Sequence, residues 1–173
     1  NGKLTLNGKF TTIEESTFSG CSSLTGDLNI PAQITSIGKS AFRTCSKLTG
    51  NLHLPSCLKT IGIDAFFQCK FTGDLLIPEG VTTMGSQAFL SCSGFNGPLL
   101  IASTVTSIGS GAFSGVSKVI GELKIPNGIT IIEKQTFSNV GCNGKLTLPS
   151  ELFSIGSFAF QSTKFNCQLN LPI

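Results

Sequence analysis

Seven cysteines and a single histidine are the side chains of this sequence best suited to nucleophilic or metal chemistry. Four of the cysteines recur at intervals of 23 or 24 residues, and Val or Thr takes the same position later in the chain: Cys21, Cys45, Cys69, Cys92, Val116, Val140 and Thr163. A position that accepts Cys, Val and Thr favours a small, mostly apolar side chain, so we predict buried thiols there. The three other cysteines, Cys57, Cys142 and Cys167, are predicted to be free.

Neither a disulfide framework, a metal site nor an active site is expected. The odd number of cysteines disfavours paired disulfides, no Cys-x-x-Cys occurs, and His53 alone cannot complete a zinc site. A hydrolytic triad would also need His53 beside a nucleophile and a carboxylate. Three segments resemble parts of enzyme motifs, but each lacks the rest of its motif. They are a dinucleotide fingerprint at residues 109–113, a phosphate loop at 38–40 and a Ser-x-x-Lys motif at 36–39. The sequence therefore predicts neither catalysis nor a cofactor.

The composition narrows the choice of partner. Hydrophobic residues make up 40% of the 173 residues and charged residues only 12%, which argues against a disordered, highly charged chain. Arg43 is the only arginine and the lysines are scattered, so we expect no nucleic acid partner. No apolar run approaches the roughly 20 residues of a membrane span, so no membrane insertion is expected. The chain opens directly in repeated sequence without a signal peptide, which predicts a fragment of a longer protein.

An internal repeat explains the spacing of these residues. Leu-x-[Leu/Ile] recurs every 23 or 24 residues, beginning at Leu4, Leu28, Leu52, Leu75, Leu99, Leu123, Leu146 and Leu169. A column of Ile or Met follows the same interval at Ile13, Ile37, Ile61, Met84, Ile108, Ile132 and Ile155. A column of Phe comes five residues later at Phe18, Phe42, Phe66, Phe89, Phe113, Phe137 and Phe160. A period in the twenties with Leu-x-Leu at its centre is the leucine-rich-repeat signature. Equivalent residues of successive repeats are therefore predicted to stack in register and to fill a shared core.

We therefore predict a single leucine-rich repeat solenoid over residues 1–173. Seven repeats of 23–24 residues start at positions 1, 25, 49, 72, 96, 120 and 143, and a partial eighth starts at 166. The predicted coil is right-handed, with a parallel β-sheet of short strands on one face and short turns, 3₁₀ or helical turns on the other. Residues 39–45 have room for such a helical turn. Neither end carries a polar cap, so end-to-end self-association is an expectation.

The columns resemble those of a known class of repeats. The pattern Ile-Gly-x-x-Ala-Phe-x-x-Cys-x-x-Leu at residues 37–48, followed by Leu-x-Ile-Pro, resembles the BspA-like, or treponemal, leucine-rich repeats. The likeness covers essentially the whole chain, although Val116, Val140 and Thr163 replace the motif cysteine. It implies a surface protein of bacteria or parasitic protists, located outside the cell or at its surface, that adheres to host matrix or cell-surface proteins. The class has no catalytic residues to transfer.

Strand alternation places two outward side chains on each Leu-x-Ile strand. Most of these are polar, but Leu76, Pro98 and Leu100 form an apolar centre. Its predicted polar rim consists of Asn51, His53, Asp74, Glu122 and Lys124. An apolar centre with a polar rim is typical of protein interfaces, so we predict a protein-docking surface here. The alternative left open is that these are ordinary surface leucines.

Two hypotheses for the function of the whole array follow from these patterns. The first is an adhesion or recognition module with a protein ligand, and the second is a structural spacer without a ligand of its own. A second exposed ladder just before the Ile column carries Thr12, Ser36, Thr60, Thr83, Ser107 and Ser154, interrupted by Ile131. Because hydroxyl and β-branched residues suit stacked strands, its predicted role is structural.

Overall fold

The computed structural model describes residues 2–166, and within that range the chain forms thirteen β-strands of two or three residues. One series carries the Leu-x-Ile motif and consists of β2 (Leu28–Asn29), β4 (Leu52–His53), β6 (Leu75–Ile77), β8 (Leu99–Ile101), β10 (Leu123–Lys124) and β12 (Leu146–Thr147). The other series holds the Ile column and consists of β1 (Thr12–Ile13), β3 (Ser36–Ile37), β5 (Thr60–Ile61), β7 (Thr83–Met84), β9 (Ser107–Ile108), β11 (Ile131–Ile132) and β13 (Ser154–Ile155).

Equivalent strands of successive turns lie side by side. Every pair of these strands is parallel, and it places repeat-equivalent residues opposite each other, as in Ile13 beside Ile37 and Ile37 beside Ile61. Burial alternates along the strands. In β6, for example, Leu75 and Ile77 face the core whereas Leu76 faces solvent. The predicted solenoid of stacked repeats is therefore confirmed.

Strands occupy two faces of the coil, whereas the sequence predicted a sheet on one. The Ile-column series forms the longest sheet, in the order β1-β3-β5-β7-β9, with β11 and β13 paired separately. The Leu-x-Ile series pairs only in twos, as β2 with β4, β6 with β8 and β10 with β12. Hydroxyl contacts support the longer sheet, since the side-chain oxygens of Ser36 and Thr60 lie 2.8 Å apart. The structural role predicted for the hydroxyl ladder agrees with this arrangement.

The third side of each turn is closed by hydrogen-bonded turns, as predicted, and residues 39–45 take the short-turn alternative of that prediction rather than a helical or 3₁₀ turn. Backbone N–H groups there donate to the next turn of the coil, as from Phe42 to the Ala65 carbonyl at 2.8 Å. Eleven non-glycine residues in these turns have positive φ, which breaks any run of helical angles: Ser16, Ser40, Thr44, Asp64, Gln68, Gln87, Ser91, Gln135, Asn139, Phe158 and Ser162. Residues 2–166 contain no helix, so none of them supplies a helical membrane span.

Stacked phenylalanines fill the centre of the coil. Neighbouring rings of the Phe column lie 5.1–5.8 Å apart between centroids, from Phe18 to Phe160, with interplanar angles of 2–16°. Phe71 and Phe95 add edge-on contacts to this column, at 6.0 Å from Phe66 and 6.4 Å from Phe89. Since one turn cannot bury its own apolar face, each ring depends on the turns above and below it for its burial.

The columns are less covered towards both ends of the described range. Ile155 was predicted to be a core residue but is 41% exposed, because β13 is the last strand of the Ile column within the described residues and no further turn there packs against it. Leu4 and Leu6 are half-buried, and Phe18 and Phe160 are partly exposed, whereas the five members of the Phe column between them are fully buried. Cys167 and the strand expected at Leu169–Leu171 lie outside the described residues.

Candidate protein-binding face

The predicted apolar centre lies on the paired strands β6 and β8. Leu76 and Leu100 are partners in the register of these strands and are 52% and 47% exposed. Their neighbours Leu75 and Leu99 are buried, so the strand pleat holds Leu76 and Leu100 outward. Pro98 is half-buried, and its carbonyl accepts a hydrogen bond from the Leu75 N–H at 3.0 Å.

Ile120 enlarges this surface and was missed by the sequence analysis. It forms a parallel β-bridge with Pro98 and is 52% exposed, as much as Leu76. Thr or Asn occupies the equivalent position in the other repeats, at Thr25, Thr49, Thr72, Asn96, Asn143 and Asn166. That exception is the signal in the sequence, but strand alternation predicts only two outward positions per strand, and Ile120 is not one of them. We call Leu76, Pro98, Leu100 and Ile120 the central patch.

Polar residues lie on both sides of the central patch. Glu122 and Lys124 are exposed on the turn that carries Ile120, and Asp74 is exposed directly before β6. Asn51 and His53 are exposed at β4, but β4 is not paired with β6, so their part of the rim is not hydrogen-bonded to the patch strands. Among the described residues, ion pairs join only Lys39 to Glu15 and Arg43 to Asp64. The rim charges are therefore available to a partner.

The predicted chemistry-bearing residues of the described range lie apart from one another. His53 lies on the exposed face of β4, and no group of three or more His, Cys, Asp or Glu side chains within residues 2–166 is placed to hold a metal ion. The residues that resemble enzyme motifs have roles in the repeat. Gly38 donates a backbone hydrogen bond to the Ile13 carbonyl at 2.7 Å, and Lys39 pairs with Glu15 at 3.0 Å.

The cysteine column is a buried ladder of thiols. Cys45, Cys69 and Cys92 are inaccessible to solvent, and each Sγ donates to the carbonyl of the Phe in the preceding turn, at 2.9–3.0 Å. All six described cysteines are free thiols, including the buried Cys142 and the partly exposed Cys21 and Cys57. The prediction of buried thiols in this column therefore holds for its middle members, whereas Cys21, in the first turn, is only partly covered.

Burial keeps these thiols protonated at neutral pH. Removal from water raises the pKa of Cys45 to about 11, that of Cys92 to about 12 and that of Cys142 to about 11. Burial, reinforced by the neighbouring cysteines, raises the pKa of Cys69 well above its usual range. Because the thiolate is the reactive form, the buried column is protected from alkylation and oxidation.

We expect thiol labelling at pH 8 to separate the two kinds of cysteine. In a Cys167→Ser background, iodoacetamide should modify Cys21 and Cys57. The buried thiols should react at a rate at least roughly 100-fold lower. The rates are measured by mass spectrometry of peptides from the folded protein, with urea-unfolded protein as the control in which all sites react. Modification of Cys69 as fast as Cys57 in the folded protein would contradict the buried ladder.

Comparisons with known proteins agree with this architecture. A family model described as "BspA type Leucine rich repeat region" matches in 6 copies over residues 2–119 and 98–172. A leucine-rich repeat protein of T. pallidum matches with a TM-score of 0.72 and 26% identity, over 84% of this chain and 66% of that one. A leucine-rich repeat protein of Bacteroides ovatus matches with a TM-score of 0.69 and 29% identity, over 90% of this chain and 45% of that one. The chain thus spans less than two thirds of these solved structures. No curated protein matches the sequence.

Proposed function

We propose that this chain, which belongs to the family of BspA-type leucine-rich repeat proteins, is a recognition module that binds a protein ligand through its Leu-x-Ile face. The single observation that carries the proposal is the central patch. Three exposed aliphatic side chains and Pro98 lie together on neighbouring turns of an otherwise polar face. Apolar side chains grouped on a surface in this way are typical of interaction sites, whereas isolated ones are common everywhere.

The size of the face fits a compact contact rather than an extensive interface. Four turns spaced by about 4.8 Å give the central patch and its rim a length of about 14 Å. Interfaces of proteins draw most of their binding energy from a few buried apolar residues surrounded by polar contacts that exclude water. Leu76, Leu100 and Ile120 have the exposure needed to lose surface to a partner.

The charges around the patch specify the chemistry of the partner. The carboxylates Asp74 and Glu122 precede their strands, whereas the Lys124 ammonium lies one outward position further along its strand. A complementary ligand therefore presents an aliphatic or aromatic side chain flanked by a basic group on one side and an acidic group on the other. In keeping with the family, we place this ligand among host matrix or cell-surface proteins and the module outside the cell.

The patch is tested by reversing its polarity. The double variant Leu76→Asp, Leu100→Asp is expected to weaken binding by roughly 30-fold or more, because hot-spot residues each contribute more than about 1 kcal/mol. Surface plasmon resonance against a panel of purified host matrix and cell-surface proteins measures the effect. Ile63→Asp is the matched control, since Ile63 is 46% exposed and lies outside the patch.

The outcomes separate this proposal from the spacer alternative. A folded double variant that keeps all binding would show that the patch is not the interface. If no panel member binds the unaltered chain, the array is better described as a spacer. Backbone hydrogen bonds join the turns without interruption from Phe18 to Ala159. They stiffen the coil, and stiffness is the property that a spacer needs.

A further inference from the structure

The longest sheet is interrupted between β9 and β11. Strands β1, β3, β5, β7 and β9 form one continuous sheet, yet β9 and β11 do not pair. The residue after the Ile or Met of this column is glycine in five turns and glutamate in two: Gly38, Gly62, Gly85, Gly109, Gly156, Glu14 and Glu133. Glu14 belongs to the first strand of the described range, which has no preceding strand of this series to contact. The interruption therefore coincides with the one turn inside the stack, β11, in which glycine is replaced.

Close contact between turns explains why this position needs glycine. A Cβ on Gly109 would lie 2.4 Å from the Ser86 nitrogen of the preceding turn, and one on Gly85 would lie 2.4 Å from the Ile63 nitrogen. Such distances are far below van der Waals contact, so a side chain forces the backbones apart. Glu133 carries that Cβ, and the turns of β9 and β11 separate at this point.

The separation removes backbone hydrogen bonds that the other turns make. Gly109 donates to the Met84 carbonyl at 2.9 Å, and Thr106 donates to the Thr82 carbonyl at 3.0 Å. The equivalent donors of the next turn are the N–H groups of Glu133 and Thr130. Within residues 2–166 neither makes a backbone bond to the equivalent carbonyls, those of Ile108 and Thr106. One wall of the opening thus presents carbonyl acceptors and the other presents amide donors.

A polar crevice of about 350 Å³ occupies this opening. Its lining includes Glu133, the exposed Ile131 and five hydroxyl-bearing residues: Ser86, Thr106, Ser107, Ser110 and Thr130. The Glu133 carboxylate makes no ion pair within the described residues. The volume lies at the lower end of the range for small-molecule sites, and it suits one ring rather than an extended chain.

We propose that this crevice binds a single pyranose unit of a saccharide. Each hydroxyl of a sugar both donates and accepts, so it can bridge a carbonyl on one wall and an amide N–H on the other. The Glu133 carboxylate accepts hydrogen bonds from adjacent hydroxyls, and Ile131 offers an apolar surface to ring C–H groups. An ammonium group only donates and leaves the amides unpaired, while a phosphate only accepts and is repelled by Glu133.

Titration of the 173-residue protein with methyl pyranosides tests the assignment. Methyl glycosides of glucose, galactose, mannose and N-acetylglucosamine are added to ¹⁵N-labelled protein, and amide shifts are followed by NMR. At least one glycoside is expected to shift the amides of residues 107–110 and 130–133 in a saturable manner. Glu133→Gly should close the opening, weaken binding at least roughly tenfold and slow hydrogen exchange at amides 130 and 133.

Two further variants separate the carboxylate from the opening itself. Glu133→Ala keeps a Cβ, so it should keep exchange at amide 133 fast while also weakening the glycoside at least roughly tenfold. Glu14→Gly is the matched control, because Glu14 holds the same column position with no preceding turn in residues 2–166, and the glycoside response should be unchanged. The Leu76→Asp, Leu100→Asp variant should also leave it unchanged, which makes the test independent of the protein-binding face.

Three results would overturn the saccharide proposal. The first is that none of the four glycosides shifts amides 107–110 or 130–133. The second is that Glu133→Gly binds the glycoside as tightly as the unaltered chain. The third is that methylammonium shifts these amides whereas the glycosides do not, since this would identify a cation site.

Discussion

Replacing Phe66 with alanine is expected to lower the free energy of unfolding by about 3–5 kcal/mol. Phe66 is fully buried, and its ring is stacked between Phe42 at 5.5 Å and Phe89 at 5.1 Å, with the edge of Phe71 at 6.0 Å. Truncation leaves a cavity that three other aromatic rings border. In a repeat array the loss also weakens the coupling between the turns on either side.

Phe67→Ala is the matched control for this prediction. Phe67 is the next residue, but it is only half-buried, and the Arg43 guanidinium lies 4.4 Å from the centroid of its ring. Loss of that contact is expected to cost about 0.5–1 kcal/mol. Urea unfolding followed by circular dichroism measures both values, since the chain has no Trp or Tyr for fluorescence. Equal losses for Phe66→Ala and Phe67→Ala would contradict the central role of the Phe column.

The repeated columns made the core predictable from the sequence. Ile37, Ile61 and Met84 were expected to stack because their spacing is constant, and they pair in register. Constant spacing is informative because all turns of a solenoid share one conformation. Each column therefore shows, within a single chain, several residues that occupy the same structural position. Ile155 departs from the expectation because stacking needs a neighbour on both sides.

The conformation of the turns could not be predicted from residue type. Ala and Phe in residues 39–45 are compatible with a helical turn, yet Ser40 and Thr44 adopt φ angles of 53° and 57°. Left-handed angles cost free energy at non-glycine residues. Here they allow the intervening N–H groups to donate to the next turn, as Phe42 does to Ala65. Contacts between turns therefore override local preference.

In the candidate sites, the residues that follow the repeat pattern were predictable from the sequence, whereas those that depart from it were not. Alternation along β6 and β8 correctly predicted that Leu76 and Leu100 face solvent. Ile120 and Glu133 were not predicted because each departs from its column, and a column predicts only what its members share. The effect of Glu133 depends on a distance between two backbones, which the sequence does not give. Departures from a repeat are thus where the fold becomes specific to this chain.

Gly85→Ala is expected to lower the free energy of unfolding by about 2–4 kcal/mol, by overpacking and by the loss of inter-turn hydrogen bonds. The new methyl group would lie 2.4 Å from the Ile63 nitrogen and 2.6 Å from the Gly62 carbonyl carbon, both of which belong to the backbone and cannot rotate away. We expect β5 and β7 to separate as β9 and β11 do at Glu133. Hydrogen exchange should therefore accelerate at the amides of Thr82 and Gly85, which now donate to Lys59 and Ile61.

Gly2→Ala controls for the change in residue type, because no atom lies within 4 Å of a Cβ at Gly2. Its effect on stability should be small, because alanine lowers the conformational entropy of the unfolded chain and so stabilises the fold by at most about 0.4–1 kcal/mol. Both variants are compared by urea unfolding and by amide exchange measured with NMR. If Gly85→Ala unfolds at the same urea concentration as Gly2→Ala and keeps amide 85 protected, close backbone contact does not explain the glycine column. The explanation of the opening at Glu133 would then fail with it, because both depend on the same steric argument.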